Sequence, residues 1–264
     1  MRNDRKLILE KAEAYLKLAN NDLKEAEENK ISGNIEKYVL YLSFVVSDFA
    51  FAGDLYYIIE EYEKAKECFS KAVEFDIEHI KIKREIGNKD RENCPIIKNL
   101  LRSKNKELID KYKSEIIRVQ KKSMENLDLG GVFVNKIIEM LVYLGSPDLA
   151  KEYFEKALNS GEELHVGNIS ECYFWLGEYE KAISLFEETL KIKYGDKAYA
   201  DNLHLGFIYW TKYKLNKDEE NKKNAIKYFE NALKACVRDN DFGNACEMQK
   251  YINMIKDIEP ERLK

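Results

Sequence analysis

Proline and glycine are scarce in this chain, with three Pro and 12 Gly among 264 residues. Sandwiches and small barrels spend those residues on tight turns, so the shortage excludes them and favours long helices. Cysteine is sparse and unpaired. Cys68, Cys94, Cys172, Cys236 and Cys246 are odd in number and never spaced C-x-x-C. That excludes a zinc knuckle or a disulfide framework, and reduced thiols in a cytoplasmic protein are expected. Histidine is limited to His79, His165 and His204, none with a second His three or four residues on. The nucleotide-binding patterns G-x-x-x-x-G-K-[ST] and G-x-G-x-x-G, the metalloprotease H-E-x-x-H and the hydrolase G-x-S-x-G are all missing. The expectation is a protein with no catalytic residue, metal or cofactor. The opening MRNDRKLILEKAEAYLKL alternates charge with apolar residues and has no leader-like apolar run.

Long hydrophobic runs are lacking too. The most apolar stretch, YVLYLSFVVSDFAFAGDLYYII (38–59), is interrupted by Asp48 and Asp54. A bilayer takes about 20 apolar residues, and a carboxylate at its centre costs at least ~2.5 kcal/mol. The stretch is therefore expected to be a buried helix in a bundle, with no membrane span. What the chain does have is 45% hydrophobic residues, 12% of the total aromatic, enough to build a substantial core.

Helical periodicity runs throughout. Residues 4–29 place Leu7, Leu9, Ala14, Leu16, Leu18, Leu23 and Ala26 at spacings of three and four, predicting an amphipathic helix. Ser32-Gly33 stops it, and Asn34 can cap the next. Pro95 and Pro147 stand before apolar-periodic runs, where a first-turn proline sacrifices no hydrogen bond. Nothing alternates with period two, so the fold class is all-α.

Four segments repeat: EEYEKAKECFSKAVEF (60–75), GSPDLAKEYFEKALNS (145–160), GEYEKAISLFEETLKI (177–192) and NKKNAIKYFENALKAC (221–236). Each has an alanine four residues before a phenylalanine: Ala65/Phe69, Ala150/Phe154, Ala182/Phe186 and Ala225/Phe229. An earlier helix goes with each, carrying Ala52-Gly53-x-x-Tyr56, Ile137-Ile138-x-x-Leu141, Ile169-Ser170-x-x-Tyr173 or Leu205-Gly206-x-x-Tyr209. Small residues allow close approach and the phenylalanine fills the groove beside them. This pattern resembles the tetratricopeptide repeat, over about 46–79 and 131–238. The alanines stand 85, 32 and 43 residues apart, against a family period of 34, which predicts an insertion in the last turn, around 212–223. The resemblance implies a right-handed superhelix of helical hairpins. Residues 1–130 would form an atypical helical region with one recognisable repeat. Residues 131–264 would hold the regular repeats and a C-terminal capping helix over 241–257.

In that family the first helix of each hairpin lines a concave groove that binds peptides. The resemblance therefore implies a non-enzymatic adaptor or scaffold whose partner is a protein or peptide. Carried over by position, the groove presents Asn135, Glu139 and Tyr143, then Asn168, Glu171 and Trp175, then His204, Phe207 and Trp210. The family's carboxylate clamp is not reproduced, and Glu139 with Glu171 favours a neutral or basic ligand. The alternative is that Tyr143, Trp175 and Trp210 pack on neighbouring helices or on the terminal helix. Charge supplies a rival function. Residues 1–80 carry 11 basic and 17 acidic side chains, residues 81–122 carry 14 and 6, and the rest 19 and 25. The basic segment, with Lys98, Arg102, Lys104, Lys106, Lys111, Lys113, Arg118, Lys121 and Lys122, suits phosphates or an acidic surface, including the rest of a second copy in a homodimer. Its one aromatic, Tyr112, makes it a poor stacking platform, so nucleic acid ranks behind protein.

Overall fold

In the computed structural model, residues 2–86, 107–114, 117, 134–161, 164–191 and 198–257 are described, and these contain helices and no strand. The chain divides into two compact units, Met1–Ile116 and Ile117–Lys264. Cys94 and, of the basic segment, Lys98, Arg102, Lys104, Lys106, Arg118, Lys121 and Lys122 lie outside the described residues.

The first unit holds α1 (Arg2–Ile31), α2 (Ile35–Ile58) and α3 (Tyr62–Glu85), with a further helical segment over 107–114. Gly33 turns the chain between α1 and α2 at φ +75°, and the Asn34 side chain accepts from the Lys37 amide as the expected cap. The buried stripe of α1 matches the expected face at Ala26, and at Leu16 and Leu23, which pack against the core, and departs from it elsewhere. Ile8, Ala12, Ala19 and Ala26 are buried, while Leu7, Ala14 and Leu18 face outward. The three alanines recur every seven residues, and their small side chains let the α1 and α2 backbones close on a narrow seam. Ala19 there meets Val45, Phe49 and Ala72, and Ala26 meets Tyr38 and Leu42. Helix α2 is long and apolar enough to cross a membrane by length and composition, and 56% of that window is buried inside the protein.

The second unit stacks three hairpins and one last helix: α4 (Val134–Tyr143) with α5 (Pro147–Leu158), α6 (Val166–Leu176) with α7 (Tyr179–Thr189), α8 (Ala198–Asn216) with α9 (Glu219–Arg238), then α10 (Phe242–Ile255). Pro147 opens α5 in the position where its missing N–H costs nothing. Gly145 and Gly177 end α4 and α6 in the left-handed region. The insertion expected in the last turn is not there. Only Lys217 and Asp218 separate α8 from α9. The extra residues lengthen the two helices to 19 and 20 residues, against 11 for α6 and α7, because an unbroken helical pattern runs up to Asn216 and restarts at the Asp218 cap.

One kind of contact recurs inside each unit. A Cβ on Gly53 would lie 2.6 Å from the Phe69 ring, and one on Gly206 2.8 Å from the Phe229 ring. In these two hairpins the first helix gives up its side chain so that the phenylalanine of the second can lie against its backbone.

Candidate functional site

Of the expected groove residues, Glu139 of α4, Trp175 of α6 and Phe207 and Trp210 of α8 meet one element, α10, whereas His204 lies against Phe186 of α7. The expected groove is not open. Asn135, Glu139, Tyr143, Glu171, Trp175, His204, Phe207 and Trp210 are all buried, and only Asn168 is partly exposed. The covering element is α10. Tyr251 inserts between the hairpins, its ring 5.0 Å from Phe207, 5.3 Å from Phe229, 6.0 Å from Trp210 and 6.3 Å from Trp175. Beneath it Trp175 and Trp210 meet edge to face at 5.9 Å, and Phe207 stacks on Phe186 at 5.1 Å. The indole N–H groups of Trp175 and Trp210 and the Nδ1 of His204 find no hydrogen-bond partner in this layer.

An ionic network lies at the α4 end. Lys250 of α10 donates to Glu139 and to Glu247, both at 2.6 Å. Lys136 donates to the Tyr251 hydroxyl at 2.7 Å and reaches Glu247 at 3.3 Å and Glu171 at 3.8 Å. Asn135 donates to Glu171 at 2.7 Å. Two ammonium groups thus face three carboxyls. Burial pushes Glu171 above the usual carboxylate range, opposed by Lys136 and Asn135. Desolvation works against the Lys136 charge, but Tyr251, Glu247 and Glu139 more than offset it and hold its pKa well above the ordinary lysine value. The basic ligand that Glu139 and Glu171 called for is therefore supplied by the chain itself.

Sequence reasoning missed Lys136, Glu247, Lys250 and Tyr251. Lys136 adjoins Asn135 but is not among the positions carried over from the family groove. Glu247, Lys250 and Tyr251 follow at i, i+3 and i+4, one face of a helix, inside the segment read as a capping helix. That spacing is the signal that was available.

The remaining polar candidates have quiet roles. His165 caps α6, its Nδ1 accepting from the Gly167 amide at 3.2 Å. His204 sits beside Phe186, and burial, then the neighbouring His165, lower it to about 4, so it is neutral at pH 7. Cys68, Cys172, Cys236 and Cys246 are buried and form no disulfide. Burial pushes Cys68 up to about 11 and Cys236 up to about 12, which suppresses thiolate chemistry. Among the described residues no three His, Cys, Asp or Glu side chains are grouped to hold a metal ion.

Residues 49–76, which span the end of α2, the turn and half of α3, match the family model of the tetratricopeptide repeat. The chain carries a tetratricopeptide repeat. The match contains the Gly53–Phe69 contact, and the same contact at Gly206–Phe229 extends the geometry to the last hairpin of the second unit. No curated protein matches the sequence. Tetratricopeptide repeats are protein-interaction modules, which sets the general kind of work this architecture does.

Proposed function

We propose that the chain is a non-enzymatic adaptor that takes up a partner helix on the face of α4, α6 and α8, in the place α10 now holds. The observation that carries this reading is α10 itself: a helix already docked there through one aromatic side chain and one adjacent lysine. Its contacts define the chemistry the face accepts. An aromatic ring enters the Phe207–Trp210–Phe229 layer, and a cation one residue before it reaches Glu139. Aromatic anchors in a desolvated pocket are the usual source of interface energy. Four buried thiols that form no disulfide suit a reducing, cytoplasmic setting.

The test uses the full chain and a labelled peptide with the sequence of residues 241–257. Lys250→Glu sets a third carboxylate against Glu139 and Glu247 and loosens the resident helix. The free peptide, which keeps its lysine, is then expected to bind this variant at least about tenfold tighter than wild type by fluorescence anisotropy. Absence of binding to a folded Lys250→Glu protein overturns the reading.

A further inference from the structure

A second surface lies in the first unit and is independent of the groove. Leu40, Phe44 and Phe51 of α2 follow at spacings of four and seven, which aligns them on one helix face, and each is 44–51% exposed. Helix α1 runs beside this face and contributes Leu18, 49% exposed and one turn from Tyr15, whose ring lies 5.3 Å from Phe51. Exposed leucines scattered singly are ordinary, but four large apolar side chains on adjoining ridges of two helices make a patch, and patches mark contact sites. At its centre is a carboxyl pair. Asp22 stands one turn from Leu18 and Asp48 one turn from Phe44, and the Asp22 charge acts on Asp48. Burial, then the Asp22 charge, push Asp48 up to about 6.

We infer that this face docks an apolar partner helix that carries a lysine or arginine at its centre. The apolar rim supplies the contact area, and a central cation relieves the Asp22–Asp48 repulsion and can donate to both carboxyls. Charge selects this occupant over two others. A second copy related by a two-fold axis would bring four carboxyls together at the centre of the interface. An anionic membrane surface would repel a segment whose first 80 residues carry 17 acidic against 11 basic side chains.

The probe is a labelled synthetic helix of about 15 residues, four turns long to match Leu40–Phe51, with leucines on one face around a central lysine. A twin peptide has glutamate in place of that lysine. With the full chain near about pH 7.5, above the raised Asp48 value, the lysine peptide is expected to bind at least about tenfold tighter than its twin. In the doubly neutralised variant, Asp22→Asn with Asp48→Asn, the preference falls to within about twofold. Phe44→Ser weakens the lysine peptide by about tenfold or more while leaving the melting curve in place, since that side chain is half exposed. Equal binding of the two peptides, or none, overturns the inference. So does a dimer in sedimentation equilibrium that Phe44→Ser abolishes, which assigns the face to a second copy. Binding to phosphatidylserine vesicles that Phe44→Ser abolishes overturns it too, and assigns the face to lipid.

Discussion

Gly53 and Gly206 show how much of this fold rests on single side chains. Each sits mid-helix, where replacement by alanine would ordinarily gain up to ~1 kcal/mol of helix propensity. Here the added methyl would stand 2.6–2.8 Å from a buried phenylalanine ring that has no room to retreat. Overpacking of this kind costs ~1–3 kcal/mol, so Gly53→Ala and Gly206→Ala are each expected to lower the denaturation midpoint in urea. An increase at either position would mean that its hairpin is looser than the Gly–Phe contact implies. His204 gives a second residue-level expectation. It is held neutral in the native state, lowered to about 4 from 6.5, whereas the unfolded chain takes up a proton below about 6.5. Protons therefore bind preferentially to the unfolded state, and the His204 contribution to stability is lost as pH falls from about 6.5 towards 4. Between pH 7 and pH 5 the loss comes to about 2 kcal/mol. Asp48 and Glu171, both raised in the native state, act in the opposite direction. The measurement is therefore the difference between wild type and His204→Gln in urea titrations at the two pH values. A slope the variant leaves unchanged would show that His204 is not the group responsible.

Helix α1 illustrates what the next scale adds. Its leucines are the conspicuous apolar residues, yet the seam against α2 is made by Ala12, Ala19 and Ala26. Ala19→Leu is expected to force α1 and α2 apart and cost ~1–3 kcal/mol, while Leu18→Ala, on the outer face, stays within ~0.5 kcal/mol of wild type by the same urea titration. Equal effects would contradict the seam. Hairpins, caps and turns were legible in the sequence because periodicity, Gly33, Asn34 and Pro147 are local signals. The alanine seam was not, since a small residue marks a close approach only once its partner is known. The placement of α10 was still less legible. Lys250 meets Glu139 across 111 residues, and no local pattern reports such a pairing. The groove residues were named in the sequence as a surface, and the structure shows them as a filled interior. Their composition, aromatics interleaved with carboxyls, serves either state. Tyr251→Ala removes the ring at the centre of that interior and is expected to cost ~3–5 kcal/mol in the same assay; a loss under ~1 kcal/mol would mean that α10 contributes little to the layer.

For the molecule as a whole, the two units present different contact chemistry. The first exposes an apolar ridge split by two carboxyls, whereas the second encloses its own helix. An adaptor needs surfaces more than it needs a pocket, and in the second unit the hairpin face and its resident helix are parts of one continuous chain, joined by Asp239–Asp241. Under the proposed function, access to the groove is an exchange of helices. Affinity for a partner is then reduced by whatever free energy holds α10 in place.

The chain's two tryptophans, Trp175 and Trp210, both lie under α10, so their emission reads the central claim directly. In full-length protein carrying Lys250→Glu, the account predicts a red-shifted spectrum, with helix content unchanged, that returns to the wild-type maximum when the 241–257 peptide is added. A folded variant whose emission stays at the wild-type maximum, or shifts and is not restored by the peptide, would contradict the claim that this face binds helices by exchange.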